Sequence, residues 1–444
     1  MSGPSRAAFG LARALRVAAY VLLAALPLSV SLLVRLRSLE FSLTEAGKAA
    51  AMLGFGIVAM QFVLAARLIW PERPFGLDRV YRFHRGMALV AALLLLSHPV
   101  LLAFGDHGTE LLTDLRAPWY IWAGKLALLA ALGMGPVAVW RGAFRLAFDR
   151  WRLLHGFAAA VVLVGGMGHA LNAAHDLEDR TIRAGLFAVA AIGILAYGRY
   201  RQSPTVSGGP PNYRVEAVER ETPSTWTVSL RRLPKARHEA GLPGQFRFVA
   251  LDIPGVGDED HPFTAASDPP QGPLCFTVKE SGDFTRHVGR VEPGGRACVS
   301  PAFGRFSYVL HPDEGSLVLI AAGIGITPLM SMVRHMRSTG ADRDVLLLYG
   351  NRTEEDIVFR QELAEIEAGG VPRLRVIHIL SRPPESWWGE MGRVDREKIE
   401  RLCGDIAGKA FYVCGPPSMM RDTLRALRSL GVARSRLHYE YFGL

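Results

Sequence analysis

Two stretches decide the fold: Asp78–Phe104, DRVYRFHRGMALVAALLLLSHPVLLAF, and Asp149–Ala173, DRWRLLHGFAAAVVLVGGMGHALNA. Each opens with Asp-Arg, places a histidine six residues after the aspartate (His84, His155) and a second one 14 residues further on (His98, His169). Between the histidines the residues are almost all apolar, and each run is long enough, as a helix, to cross a hydrocarbon core of about 30 Å. Fourteen residues fall about 40° short of four helical turns and rise about 21 Å, so each pair lies near one helix face at two depths.

Four more apolar runs accompany these, giving six in all: Val17–Val34, Ala49–Leu68, His84–Phe104, Trp119–Val139, His155–Leu171 and Ile182–Tyr200. Half of the 444 residues are hydrophobic and 21% are charged, with a mean hydropathy of +0.18. Such values exclude a disordered chain and an ordinary water-soluble enzyme. Before Ser203 stand 21 Lys+Arg against 11 Asp+Glu, and after it 30 of each, so the net +10 belongs to the apolar part. That pattern predicts basic membrane-flanking loops and no nucleic-acid surface. Arg6, Arg13 and Arg16, then Arg73, Arg79 and Arg82, then Arg141, Arg145, Arg150 and Arg152, and finally Arg199 and Arg201 mark one side. Asp106, Glu110, Asp114, Asp176, Glu178 and Asp179 mark the other. The positive side is the cytoplasmic one, which puts both termini in the cytoplasm, with Arg35, Arg37 and Lys48 as the exception; a plasma (inner) membrane is the expected location. The first run also resembles a signal peptide, but no clean A-x-A site follows and a retained helix is expected.

Spans 3 and 5 run in the same direction, so His84 is level with His155 and His98 with His169. Ionisable side chains inside a bilayer need partners. Facing imidazoles suit the two axial positions of a haem iron, and four of them suit two stacked haems; hydrogen bonds from each histidine to a neighbouring helix, or a proton relay, are the alternatives. Gly86, Gly156, Gly165, Gly166 and Gly168 would let a flat macrocycle approach the backbone. Bis-histidine ligation leaves no open iron site, so the iron passes electrons and binds no substrate.

A polar Gly/Pro-rich linker, 203–211, ends the membrane domain, 1–202. Short alternating runs follow at Tyr213–Val218, Trp226–Leu230, Phe246–Ala250, Leu274–Lys279 and Ala297–Ser300, which predict a small antiparallel barrel over 212–311. From 312 to 444 apolar strands at Leu317–Ala321, Val345–Tyr349, Leu374–Ile379 and Ala410–Cys414 alternate with helices, an α/β pattern with a parallel sheet. The four cysteines, Cys275, Cys298, Cys403 and Cys414, form no CxxC and read as reduced thiols.

Three motifs carry the chemistry of this half. His261-Pro-Phe-Thr-Ala-Ala-Ser267 offers a ring, hydroxyls and backbone donors in an extended segment suited to a flavin, and Lys279–Thr285 offers groups for a pyrophosphate. Gly323-Ile-Gly325-Ile-Thr327-Pro328 follows a buried strand and opens a helix, where glycines and a helix N-terminus favour a phosphate. Tyr412-Val-Cys414-Gly415-Pro-Pro-Ser-Met-Met420 puts Cys414 at the carboxyl end of a strand, where open α/β sheets bind ligands.

In this order the motifs resemble the ferredoxin-reductase-like flavoprotein module. With the histidine-bearing half attached, the chain is similar to the ferric reductase/NADPH oxidase family, from about Leu39 to Leu444. The resemblance implies a six-helix haem-binding bundle (metal ligands His84, His98, His155 and His169), then a β-barrel FAD domain and an α/β nucleotide-binding domain. It implies that His261, Pro262, Phe263 and Thr264 lie along FAD with Ser267 close by, and that Gly282, Phe284 and Thr285 hold its phosphates. Gly323, Gly325, Thr327 and Pro328 match the nicotinamide-nucleotide loop, Cys414 and Gly415 the turn beside the nicotinamide, and Phe442 the aromatic that stacks on the flavin. Ser381-Arg382 and Arg352 are candidates for the extra ribose phosphate of NADPH, with NADH as the alternative. The implied activity passes electrons from NADPH through FAD and two b-type haems to an extracytoplasmic acceptor. That acceptor is a ferric chelate first, molecular oxygen second, and a partner protein or quinone third. His107, His175, Arg116 and Lys125 fall in or near outer loops that would face it.

Overall fold

The computed structural model describes residues 6–36, 41–139, 148–234, 241–256, 259–268 and 272–440. They form two compact units that part between Arg201 and Gln202.

The first unit is helical: α1 (Arg6–Val34), α2 (Leu43–Ala65), α3 (Ile69–Phe75), α4 (Leu77–Phe104), α5 (Glu110–Thr113), α6 (Trp119–Val139), α7 (Phe148–Ala173) and α8 (Arg180–Arg201). Among the described residues α1, α2, α4, α6, α7 and α8 are long and apolar enough to cross a membrane. Several begin before their apolar run because local capping, not hydropathy, sets a helix end. The Ser42 side chain accepts the Glu45 N–H at 3.1 Å and starts α2. Gly76, at φ +86°, breaks the chain between α3 and α4. His84 and His155 therefore sit inside α4 and α7 and not at their first residues.

Helix α2 packs on α1, α4 and α8, and α7 packs on α6. Glycines set the spacing. A Cβ at Gly56 would stand 1.9 Å from the Ala24 carbonyl oxygen, and one at Gly193 would stand 2.4 Å from that of Ala59. Small residues of this kind let membrane helices meet backbone to backbone.

The outward cations that broke the charge pattern are neutralised. Arg35 binds Glu45 at 2.7 Å and Asp176 at 2.9 Å, and Lys48 binds the same two carboxylates at 2.8 and 3.3 Å. Arg37, Arg141 and Arg145 lie outside the described residues. At the N-terminus Arg13 and Arg16 donate to the Pro74 and Trp70 carbonyls of α3, at 2.9 and 2.6 Å. Sequence reading had left α3 as a basic loop.

In the second unit the expected linker is partly ordered: α9 (Pro204–Ser207) packs on the first sheet. That sheet comprises β1 (Tyr213–Thr222), β2 (Thr225–Arg232), β3 (Phe246–Leu251), β4 (His261–Thr264), β5 (Leu274–Lys279) and β6 (Arg296–Val299). All its pairs are antiparallel, in the order β4-β3-β6-β1-β2-β5. Among the described residues its two edges come together just after β4, at the bridge Ala265 to Phe276 and the Ala266 N–H that donates to the Cys275 carbonyl at 2.8 Å.

A second, parallel sheet follows: β7 (Ser316–Ala322), α10 (Ile326–Thr339), β8 (Asp344–Asn351), α11 (Arg360–Gly369), β9 (Arg373–Leu380), β10 (Glu390–Met391), α12 (Arg396–Cys403), β11 (Ala410–Cys414), α13 (Pro417–Ser429) and β12 (Leu437–Tyr439), in the order β10-β9-β8-β7-β11-β12. The near-continuous apolar runs are explained by burial on both faces. Leu329, Met332 and Leu363 cover one side, and Ile399, Leu424 and Leu427 the other. The chain winds outward from β7 through β10 and then returns to β11 on the other flank of β7. The β7/β11 pair is thus the topological switch point, where such sheets leave a ligand crevice.

Candidate functional site

Two places gather the chemistry. The first is in the helical unit. The rings of His84 and His155 have centroids 6.4 Å apart, and those of His98 and His169 are 6.2 Å apart. A metal–imidazole bond of about 2.0–2.1 Å on each side, plus the half-width of each ring, brings two ring centres to about 6 Å. Each pair therefore fits one metal held between two imidazoles, at two levels of the bundle.

The surroundings agree. Cβ atoms at Gly86 and Gly156 would meet nothing within 4 Å; Gly156 follows His155 directly, whereas Gly86, two residues after His84, faces away from it around α4. Gly165 and Gly166 instead serve contacts inside the bundle: their Cβ atoms would approach the Ala123 carbonyl at 3.1 Å and the Phe55 ring at 3.5 Å. At Gly168 a Cβ would meet only the Trp119 ring, at 3.7 Å. Nδ1 of His98 lies 3.0 Å from the Gly47 carbonyl and Nδ1 of His169 lies 3.0 Å from that of Tyr120. A carbonyl only accepts, so both rings carry their proton on Nδ1 and turn Nε2 outward as a free ligand. Sequence reading missed Gly124: a Cβ there would stand 2.8 Å from the His169 ring, so only glycine leaves the ring its place.

At the far end of this unit Lys125 donates to the Asp114 carbonyl at 3.1 Å and lies over the Trp122 ring. His107 and Arg116 are exposed, and the His175 side chain lies outside what is described.

The second place is the switch point of the parallel sheet. After β7, Gly323 turns at φ +54° and the 3-10 turn Gly323–Gly325 leads into α10. A Cβ on Gly325 would lie 2.5 Å from the Cys414 carbonyl and 2.8 Å from Gly415 Cα, so the two loops read separately in the sequence are one surface. Thr327 donates to the Ile324 carbonyl at 3.1 Å and closes the turn, with Pro328 beside it in the first turn of α10. Cys414 is fully buried at the end of β11; burial, with the nearby Glu440 adding to it, pushes its thiol well above the ordinary value. It is a neutral, compact contact at neutral pH and no thiolate nucleophile.

On the antiparallel sheet, His261 to Thr264 form edge strand β4. His261 stacks on Phe284 at 4.0 Å and Phe263 lies 6.2 Å from the same ring. Thr285 accepts the N–H groups of Ser281 and Gly282 at 2.9 and 2.8 Å, shaping the turn that follows β5. Ser267 is engaged elsewhere. Its hydroxyl accepts the Cys275 N–H at 3.0 Å, and its carbonyl accepts from Ser331 at 2.9 Å. It lines a polar cleft of about 700 Å³ with Glu219, Arg334 and Glu362, away from the ring cluster in its bonding. Phe442 lies outside the described residues.

At the ends of β8 and β9, Arg382 N–H donates to the Arg352 carbonyl at 2.8 Å and Ser381 N–H to that of Asn351 at 3.0 Å. Two exposed guanidinium groups thereby share one sheet end.

One cluster escaped sequence reading because its members are far apart in the chain. Among the described residues His311, Glu314 and His438 bring ligand atoms within 4.8 Å of one another. Glu314 is already satisfied: it accepts from Tyr412 at 2.7 Å and pairs with His438 at 2.8 Å. Burial works to raise this carboxyl, and the His438 and Tyr412 hydrogen bonds outweigh it, so the net direction is downward. The group reads as a lock that pins β12 to the entry of β7.

Comparison with known proteins agrees with this division. Residues 50–166 match the family described as ferric reductase like transmembrane component, a range holding His84, His98 and His155. Residues 319–425 match the oxidoreductase NAD-binding domain. The chain is 30% identical over 266 residues to NADH-cytochrome b5 reductase 1 of Cryptococcus neoformans, covering 57% of this chain and 90% of that protein. It is 33% identical over 214 residues to ferredoxin–NADP reductase B of Sorangium cellulosum, covering 45% of this chain and 84% of the relative. The flavohemoglobin of Malassezia yamatoensis shares the fold, with a TM-score of 0.50 and 18% identity over 91% of this chain and all of that one. Six apolar helices, a switch-point crevice and these matches lead to one assignment: the chain is a multi-pass membrane oxidoreductase of the ferric reductase-like family, in which a ferric-reductase-type transmembrane component is fused to an FAD- and NAD(P)H-binding reductase module of the NADH-cytochrome b5 reductase type.

Proposed function

We propose that the protein moves electrons from cytoplasmic NADPH, through FAD and two b-type haems, to a ferric chelate on the opposite side of a plasma (inner) membrane. The observation that carries this reading is the pair of histidine–histidine separations, 6.4 and 6.2 Å, stacked along two helices. When bound, the flavin takes a hydride and yields single electrons, which the haem irons relay.

The chain's own residues do the placing. His84 with His155, and His98 with His169, offer axial nitrogens at two depths. Gly156 leaves open space next to His155. Over 212–311, His261 to Thr264 and Phe284 supply rings and an extended backbone for the flavin, and Gly282 and Thr285 supply the turn for its phosphates. Over 312–444, Gly323 and Gly325 let a dinucleotide approach the backbone at the start of α10. Cys414 and Gly415 form the floor under the nicotinamide, and Phe442 would cover the flavin ring from the C-terminus. Ser267 supports the flavin segment from behind through Cys275 and Ser331. Arg352, Ser381 and Arg382 share one exposed sheet end and would neutralise a 2′-phosphate dianion, which supports NADPH over NADH. Arginine-rich loops support a cytoplasmic reductase module.

The test is made on detergent-purified protein loaded with haem and FAD. NADPH is added in air, and ferric-chelate reduction is followed with and without superoxide dismutase beside oxygen uptake. Reduction insensitive to the dismutase with slow oxygen uptake is the expected result. Dismutase-sensitive reduction with fast oxygen uptake makes the protein a superoxide-forming oxidase instead. Reduced haems with no turnover of either acceptor point to a partner protein or quinone.

A further inference from the structure

Helix α10 starts at the Gly323–Gly325 turn. Ser331, Arg334 and Ser338 stand at i, i+3 and i+7 along it and so share one face. That face is bonded to three consecutive residues just beyond β4. Ser331 Oγ donates to the Ser267 carbonyl at 2.9 Å, and Arg334 Nη1 donates to the Ala266 carbonyl at 2.8 Å. Ser338 donates to the Asp268 carboxylate. Ala266 itself is fully buried, in the same apolar cluster as Leu329 and Met330 of α10. The continuation of a strand from the antiparallel sheet is thus stapled to a helix of the parallel one.

Arg334 is the most heavily committed member of this face. Its Nε and Nη2 donate to the two Glu362 oxygens at 2.8 and 2.5 Å, a bidentate pair with the first turn of α11. Its guanidinium lies over the Phe359 ring, 4.6 Å from the centroid. Phe359 precedes α11 at φ +59°, a conformation that residues other than glycine seldom adopt. All three guanidinium nitrogens are therefore engaged, with the stem on α10, the fork on α11 and Nη1 on Ala266. The side chain lines the polar cleft and is 22% exposed, so it is a clamp at the cleft wall and not a core contact.

Resting on the flavin and nucleotide reading above, we propose that Arg334 is a positioning residue that fixes the spacing between flavin and nicotinamide. The start of α10 carries the dinucleotide loop, and Ala266 stands two residues past Thr264, the end of the flavin-facing strand. From Ile326 to Arg334 the helix rises about 12 Å and moves as one rod. A shift of Ala266 against α10 is therefore a shift of one ring against the other, and hydride transfer is steep in that separation. Arg334 acts through the Ala266 carbonyl and takes no part in the transfer of hydrogen or electrons. A lysine there keeps a donor for that carbonyl but loses the fork to Glu362, so it holds the spacing less well.

The test uses full-length protein loaded with haem and FAD, in the variants Arg334→Met and Arg334→Lys. Arg360→Gln is the control, since Arg360 lines the same cleft and pairs with Glu354 at 2.5 Å. Three quantities are read: FAD per chain, anaerobic stopped-flow flavin reduction across NADPH concentrations, and the long-wavelength charge-transfer absorption of reduced flavin with NADP⁺. In Arg334→Met the limiting reduction rate should fall about 10–100-fold and the charge-transfer band should weaken. FAD content and the half-saturating NADPH concentration should stay as in wild type. Arg334→Lys should recover part of both losses, and Arg360→Gln should match wild type. A wild-type rate and band in Arg334→Met overturn the proposal. So does a loss confined to the half-saturating concentration, which marks a nucleotide contact instead. If Arg334→Met sheds its FAD, Arg334→Lys decides: a slowed rate with full FAD supports the proposal, and a wild-type rate, or loss of FAD here too, overturns it. If NADPH does not bleach the wild-type flavin, the reading of the reductase module itself falls, and Arg334 with it.

Discussion

With His98 and His169 holding a haem as proposed, Gly124→Ala should cost the protein that haem. The added methyl would stand 2.8 Å from Cγ and Nδ1 of His169, at least about 0.7 Å inside ordinary carbon contact of about 3.5–4.0 Å. The ring cannot simply retreat. Its Nδ1 is tied at 3.0 Å to the carbonyl of Tyr120, one turn before Gly124 on α6, so moving the ring breaks the bond that fixes its tautomer. Overpacking of this kind costs about 1–3 kcal/mol, and about 1.4 kcal/mol is tenfold. Haem retention at the His98/His169 level should therefore fall roughly five- to 150-fold. Gly133→Ala is the control: it lies on the same helix, and its Cβ would meet nothing within 4 Å. Haem per chain by pyridine haemochrome, with EPR of the low-spin signals, reads both variants. Gly124→Ala should fall from two haems toward one, and Gly133→Ala should keep two. Two haems with unperturbed signals in Gly124→Ala would refute the placement of His169 as a ligand.

Three further outcomes follow from the reductase unit. Cys414→Ala should slow flavin reduction by NADPH about 10–100-fold in anaerobic stopped flow, the scale of a reacting centre misplaced by about 1 Å, with flavin content unchanged. Arg352→Ala with Arg382→Ala should raise the KM for NADPH much more than for NADH, and equal effects on both would remove the 2′-phosphate role. His378 is held at about 4 by burial, with Arg360 adding to it. Its unfolded value is about 6.5, so this contribution is complete above pH 6.5 and is lost as pH falls from there toward 4. After allowance for solvent screening the loss is about 2 kcal/mol. Thermal unfolding followed by flavin release should flatten across that window in His378→Leu, and an unchanged pH profile would count against it.

Much of this architecture was legible in the chain. Helices α4 and α7 could be paired from the 14-residue histidine spacing alone, because a regular helix converts sequence distance into depth and direction. The parallel strands stood out because burial on both faces writes them as unbroken apolar runs. What stayed hidden depends on contacts between distant residues. Gly124 carries no signal until α6 is laid against α7, and Glu314, Tyr412 and His438 are scattered over three segments of one sheet. Arg35 and Lys48 looked like errors in the charge pattern until Glu45 and Asp176 were brought beside them. Ser267 shared a motif with His261, yet its hydroxyl turns to Cys275 because the segment leaves the edge strand at Ala265. Short elements such as α3, β10 and β12 are too brief to leave a period.

The central claim is that one chain joins a nucleotide-driven flavin to two membrane haems. It is tested most directly by mixing NADPH anaerobically with purified full-length protein and recording flavin and haem spectra on one time axis. Bleaching of the flavin, followed by the ferrous bands of two haems per chain, is the predicted result. A flavin that bleaches while the haems remain ferric, or a spectrum with no haem after loading, would contradict it.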